Sequence, residues 1–121
     1  MADRSPLVAL GALNAAIAVA AGAFAAHGLR ERLSARALEV FETGARYHMY
    51  HALAMVLAGL LVATRGAQGA GWLFQAGIVL FSGSLYVLAL TDVKVLGAIT
   101  PLGGVAFLAG WLWLAWSAWR A

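Results

Sequence analysis

The sequence predicts an all-α membrane protein: four transmembrane helices in an antiparallel bundle, with an amphipathic extension leading into the second helix. Three observations predict it. Of the 121 residues, 64% are hydrophobic and 11% charged, against roughly a quarter charged in soluble domains, and the mean hydropathy is +0.86. Four apolar stretches lie close to the ~20 residues that cross hydrocarbon as a helix. Only short connectors separate them, so neighbouring spans should run in opposite directions. The spans are placed at about 6–28, 47–64, 70–91 and 97–119, and the amphipathic segment at about 34–46, within a single domain covering 1–121.

The first stretch follows Arg4, and Ala21-Gly22-Ala23 imitates a secretory cleavage site, but its apolar core is longer than the 7–15 residues of a signal peptide. Ser34 is placed to cap a second helix that begins before its apolar run, because residues 35–42 are helix formers without a breaker. At 100° per residue, Ala37, Val40, Phe41 and Ala45 fall on one side and Arg36, Glu39, Glu42 and Arg46 on the other. Extending that wheel puts Gly44, His48 and His51 on the apolar side, while Glu42 and Arg46 can pair one turn apart. Arg65-Gly66-Ala67-Gln68-Gly69 and Thr91-Asp92-Val93-Lys94 are the turns around the third span. In the fourth, Thr100-Pro101 suits a first-turn proline, which has no intrahelical N–H bond to lose.

Reversal at each connector gives the bundle a polar side, holding residues 28–46 and 91–95, and a terminal side, holding both termini and the Arg65 loop. His27, His48, His51, Tyr47, Tyr86, Asp92 and Thr100 fall on the polar side; Trp72, Trp111, Trp113, Trp116 and Trp119 favour the terminal side, giving two interfacial aromatic belts. Basic residues divide too evenly between the sides to assign an orientation.

The formal net charge of +3 comes from scattered arginines, which excludes a nucleic-acid footprint and fits headgroup anchoring. The lipid bilayer is the expected partner. Lack of cysteine removes disulfides and thiolate metal sites. Small residues mark helix contacts in lipid: Gly11, Ala15 and Gly22 on span one, Gly77 on span three, and Gly103 and Gly110 on span four. Asn14 shares the first stripe, and its amide needs a partner inside the bundle.

Ionisable groups in apolar spans are the first candidates for function. The candidate polar-side site is His27, His51, Tyr47, His48, Ser84, Tyr86, Asp92 and Thr100. His27 beside Gly28 reads as a helix-end cation whose neighbouring glycine takes the cap conformation; the sharper alternative has it reach His51 as a hydrogen-bonded pair, a metal site or axial haem ligands. No tight metal-ligand spacing and no nucleophile or paired-carboxylate constellation appears, so no catalytic residue, resident metal or cofactor is assigned.

Four segments carry a family resemblance: GAFAAHG at 22–28, FETGARYHMYHALA at 41–54, FSGSLY at 81–86 and TPLGG at 100–104. Together they resemble the domain-of-unknown-function 423 family of small membrane proteins. The resemblance implies a four-span protein of a bacterial inner membrane and lends no activity. It also leads one to expect glycine at Ala25 and often glutamine at His48, which ranks His48 below His27 and His51 as a functional residue.

The preferred functional reading is a structural or accessory component that packs with itself or with a membrane complex. A transport or permeation unit for a proton, ion or small solute is the alternative, and a histidine-ligated metal or haem module ranks third.

Overall fold

The computed structural model describes residues 5–120, which leaves Arg4 outside the described residues. Those residues form helices and turns, with no strand among them. Helix α1 runs Pro6–His27, α2 Ala35–Leu60, α3 Ala67–Gly77, α4 Gly83–Thr91 and α5 Thr100–Arg120. A π-helical turn, Ile78–Ser82, joins α3 to α4, so Ala67–Thr91 is one continuous helix. A short 3₁₀ segment, Lys94–Ala98, precedes α5.

Three of these four long helices, α1, the α3–α4 helix and the segment ending in α5, are long and apolar enough to cross a membrane. Helix α2 is not among them. Its 26 residues include the exposed Arg36, Glu39, Glu42 and Arg46 as well as His48 and His51, which are buried and face the protein.

Each end is built by identifiable local chemistry. Ser5 caps α1 by accepting the Leu7 N–H at 3.2 Å, with Pro6 in the first turn. The helix closes by the Leu29 N–H to the Phe24 carbonyl at 2.9 Å. Gly28 remains right-handed at φ −73°, so it does not supply the left-handed cap expected of it; a Cβ there would meet the half-exposed Phe24 ring at 2.7 Å. Ser34 caps α2 through the Ala37 N–H at 3.1 Å. Asp92, at φ 59°, ends α4 in the left-handed conformation, with its N–H on the Leu88 carbonyl at 2.8 Å. Glu42 and Arg46 do not pair: among the described residues the ion pair is Lys94–Asp92, at 3.2 Å.

The packing order is α1 on α2, α2 on α3 and α4, and α3 on α5. One core joins Leu7, Met55, Ala58, Ala70 and Phe74 across α1, α2 and α3; a second joins Ala25, Leu29, Phe41 and Ala89. Helices α1 and α2 touch backbone to backbone. A Cβ on Gly11 would lie 2.7 Å from Val56 Cγ2 and 2.9 Å from the Ala52 carbonyl; one on Gly59 would lie 2.8 Å from the Val8 nitrogen. Gly77 is closed by Phe107, Gly103 by the Phe81 backbone and Gly110 by Phe74. Gly22 departs from the packing stripe, since nothing lies within 4 Å of the Cβ it lacks, and Ala15 is only half-buried.

This contrast generates a prediction. Gly11→Ala should lower stability by about 1–3 kcal/mol, because backbone atoms cannot move aside as a flexible side chain can. Gly22→Ala should be neutral or stabilise by up to about 1 kcal/mol through helix propensity. Thermal unfolding in detergent, followed by circular dichroism, measures both.

Candidate functional site

The polar residues of the helix interiors form two centres, built on His48 and His51, one turn apart on the buried face of α2. The first begins with Asn14 on α1. Its Nδ2 donates to the Leu10 carbonyl at 2.8 Å and to Gln75 Oε1 at 3.0 Å. This orients the amide, leaving Oδ1 to face His48 Nε2 at 2.9 Å. Oδ1 can only accept, so His48 carries its proton on Nε2, and Nδ1 accepts from the Tyr86 hydroxyl at 2.9 Å. The chain Gln75–Asn14–His48–Tyr86 thus ties α3, α1, α2 and α4 together. His48 is 4% and Asn14 8% exposed.

Local structure makes the Tyr86 contact. Gly44 leaves room for the tyrosine ring to lie across α2, and a Cβ there would meet Tyr86 Cε1 at 3.1 Å. The Phe41 ring supports the other face, with centroids 4.8 Å apart. The π-helical turn sits directly before α4, and within it the Ser82 hydroxyl donates to the Gly44 carbonyl at 2.7 Å. Such a turn inserts one residue into the helical register and rotates the rest of the helix. Without it, the residues after Ser82 would face about 100° away.

The second centre is His51. Its Nδ1–H donates to the Tyr47 carbonyl at 2.8 Å, and Nε2 accepts from Trp111 Nε1–H at 3.0 Å. Indole is a donor only, so in this arrangement His51 is neutral and its tautomer is the opposite of that of His48. The ring stacks on Phe107, with centroids 3.5 Å apart and planes 6° from parallel. Beside it lies an apolar groove of about 720 Å³ between α2 and α5, walled by Tyr47, Tyr50, Phe81, Leu108 and Trp111.

The eight candidate residues therefore separate. His48 and Tyr86 share the first centre, while His51 and Tyr47 share the second. Ser84 and Thr100 hydrogen-bond to each other at 2.6 Å and join α4 to α5. Asp92 pairs only with Lys94, both side chains more than 80% exposed, a geometry worth little in energy. His27 is exposed and does not reach His51, whose two nitrogens are engaged elsewhere. Among the described residues no three of His, Cys, Asp or Glu converge as metal ligands.

One expectation is corrected: the common polar-side depth does not hold. His48, ranked last of the histidines as a functional residue, has both ring nitrogens in the network. Asn14 lies 13 residues before His27, about 20 Å along α1 at ~1.5 Å per residue, so His48 is held mid-helix. Trp111 likewise leaves the terminal aromatic belt to reach His51. Gln75 and Trp111 were missed as members. Their signal was slight: a glutamine inside a predicted span, and one tryptophan among several.

An amide, like neutral imidazole, offers one donor and one acceptor edge. His48→Ala should therefore cost about 1–3 kcal/mol by stranding Asn14 Oδ1 and the Tyr86 hydroxyl. His48→Gln should recover at least half of that loss, and His27→Ala should stay within about 0.5 kcal/mol of the parent. Unfolding of the three variants in detergent measures the order.

Comparison with known proteins places this architecture. The model of the family described as "Protein of unknown function (DUF423)" matches residues 21–104. A UPF0382 membrane protein of Bacillus subtilis, YwdK, is 52% identical over 109 residues, covering 87% of this chain and 89% of its own. A UPF0382 membrane protein of Staphylococcus epidermidis is 53% identical over 107 residues, covering 87% and 88%. No solved structure matches the chain. The relatives are membrane proteins by name, three helices here are apolar enough to span a bilayer, and the chain belongs to the DUF423 family.

Proposed function

We propose that all four long helices cross a bacterial inner membrane as an antiparallel bundle, and that the protein is a structural or accessory component that packs with itself or with a larger membrane complex. The observation that carries this reading is the closure of the interior: both nitrogens of His48, both of His51 and both polar atoms of Asn14 are spent on partners inside the chain. A permeation path needs polar groups that bind and release what passes. Here those groups hold helices together.

The outside supports the same reading. Only 22% of the most apolar window of α1 and 17% of that of the segment ending in α5 are buried, leaving Leu13, Val19, Val105 and Leu112 outward. In a bilayer that surface is free for lipid or for another helix. The transport reading is favoured by one observation, the buried hydrogen bond between the Tyr86 phenol and the His48 imidazole, two groups that can exchange a proton.

One set of measurements separates the readings. The chain has no native cysteine, so Glu31→Cys and Ala63→Cys should be labelled from opposite sides of a sealed vesicle if α2 crosses it. Leu112→Cys should cross-link to a second copy or to one partner in fixed ratio. Proteoliposomes should pass protons no faster than protein-free vesicles. Same-side labelling would overturn the topology, and a proton flux abolished by His48→Ala would replace the accessory reading with transport.

A further inference from the structure

Where the Arg65 loop meets the end of α5, an open cavity of about 820 Å³ is lined by Ala63, Arg65, Trp116, Ser117, Trp119 and Arg120. Ser117 is its most informative member. The residue is 5% exposed, yet its hydroxyl has no hydrogen-bond partner among the described residues. Elsewhere in the helices hydroxyls turn back onto carbonyls, as Thr43 does to Glu39 and Thr91 to Val87. Every described side-chain nitrogen or oxygen that is fully cut off from solvent is paired, so the Ser117 hydroxyl, which packs against Gly66, keeps an edge open at the rim of the cavity it lines.

Two arginines line that cavity, Arg65 from the loop after α2 and Arg120 from the end of α5, and no carboxylate is among its lining residues within the described chain. The Arg120 guanidinium is held over the Trp116 ring, 5.5 Å from its centroid, which fixes a planar group at the mouth. Planar forks and a hydroxyl donor match phosphate oxygens. Trp116 and Trp119 are 55% and 86% exposed, and tryptophan favours the headgroup level of a bilayer. An anion seated there can continue into hydrocarbon. The corner cavity at the other end of the bundle differs: it holds about 270 Å³, and Asp92 stands beside Lys94 on its wall.

We propose that this cavity binds the phosphate group of an anionic phospholipid, gripped by Arg65 and Arg120, with the Ser117 hydroxyl as a third donor and the two tryptophans against the glycerol region. The bundle thereby recognises lipid charge at one membrane face. Phosphate is the shared chemistry of a lipid headgroup and of the free ion, and the open, tryptophan-flanked mouth assigns it to the lipid.

Native mass spectrometry of the full chain, released from micelles carrying equal amounts of phosphatidylglycerol and phosphatidylcholine, tests this. The parent should retain phosphatidylglycerol at least about tenfold (~1.4 kcal/mol) over phosphatidylcholine, because both lipids bring the phosphate but only phosphatidylcholine brings a cation against Arg65 and Arg120. Arg65→Gln with Arg120→Gln should abolish the preference, Ser117→Ala should lower retention of both lipids severalfold because both carry the phosphate it contacts, and Arg46→Gln, outside the cavity, should leave retention and preference intact. If the double glutamine variant fails to fold by circular dichroism, Arg65→Lys with Arg120→Lys decides, and it should show a reduced preference because charge remains without the fork. Equal retention of the two lipids by the parent, or an undiminished preference in the folded double variant, would overturn the proposal. Excess inorganic phosphate should not displace the lipid; displacement assigns the cavity to the free ion and overturns the lipid assignment.

Discussion

A polar group that leaves water for an apolar interior must find its partner inside the protein, and the His48 ring is where this chain meets that constraint most heavily. One imidazole satisfies an amide from α1 and a phenol from α4. Three long helices, α1, α2 and the continuous α3–α4 helix, are tied by three side-chain hydrogen bonds, and the amide also bonds its own backbone at Leu10. Helix α2 can therefore carry two buried histidines among apolar helices although, at 26 residues, it is less apolar than its long neighbours. Gly44 makes room for Tyr86, Ser82 fastens the π-helical turn to α2, and Gly11 and Gly59 bring α1 close enough for Asn14 to reach.

The two buried histidines illustrate how neighbouring sequence fixes chemistry. Both lie on the apolar side of one helix, yet His48 meets an amide oxygen and His51 a backbone carbonyl and an indole. Their protons consequently sit on different nitrogens. Each ring is a connector with both ends occupied, which leaves the surface, rather than the interior, with side chains free to engage a partner. The Arg65–Arg120 cavity and the outward faces of α1 and α5 are parts of that surface.

Much of the fold was legible because helix physics is local. The Ser34 cap, the inward placement of Gly44, His48 and His51, and the close approaches at Gly11, Gly77, Gly103 and Gly110 derive from capping chemistry and a 100° wheel. The site was less legible. Sorting residues by membrane side compressed a helix of about 33 Å into two ends, so it grouped His27 with His51 and hid the pairing of His48 with Asn14. The π-helical turn leaves no pattern that distinguishes Gly77 and Gly83 from ordinary packing glycines, and it sets where Tyr86 points. Expecting glutamine at position 48 lowered the rank of the very residue whose donor and acceptor edges a glutamine would reproduce.

The central claim is that the interior is a closed, neutral hydrogen-bond network, and the histidine tautomers report it most directly. Solid-state NMR of ¹⁵N-histidine-labelled protein in lipid bilayers at neutral pH distinguishes Nε2–H from Nδ1–H rings. A closed network predicts a neutral His48 protonated on Nε2 and a neutral His51 protonated on Nδ1. A charged ring, or the same tautomer at both positions, would contradict it.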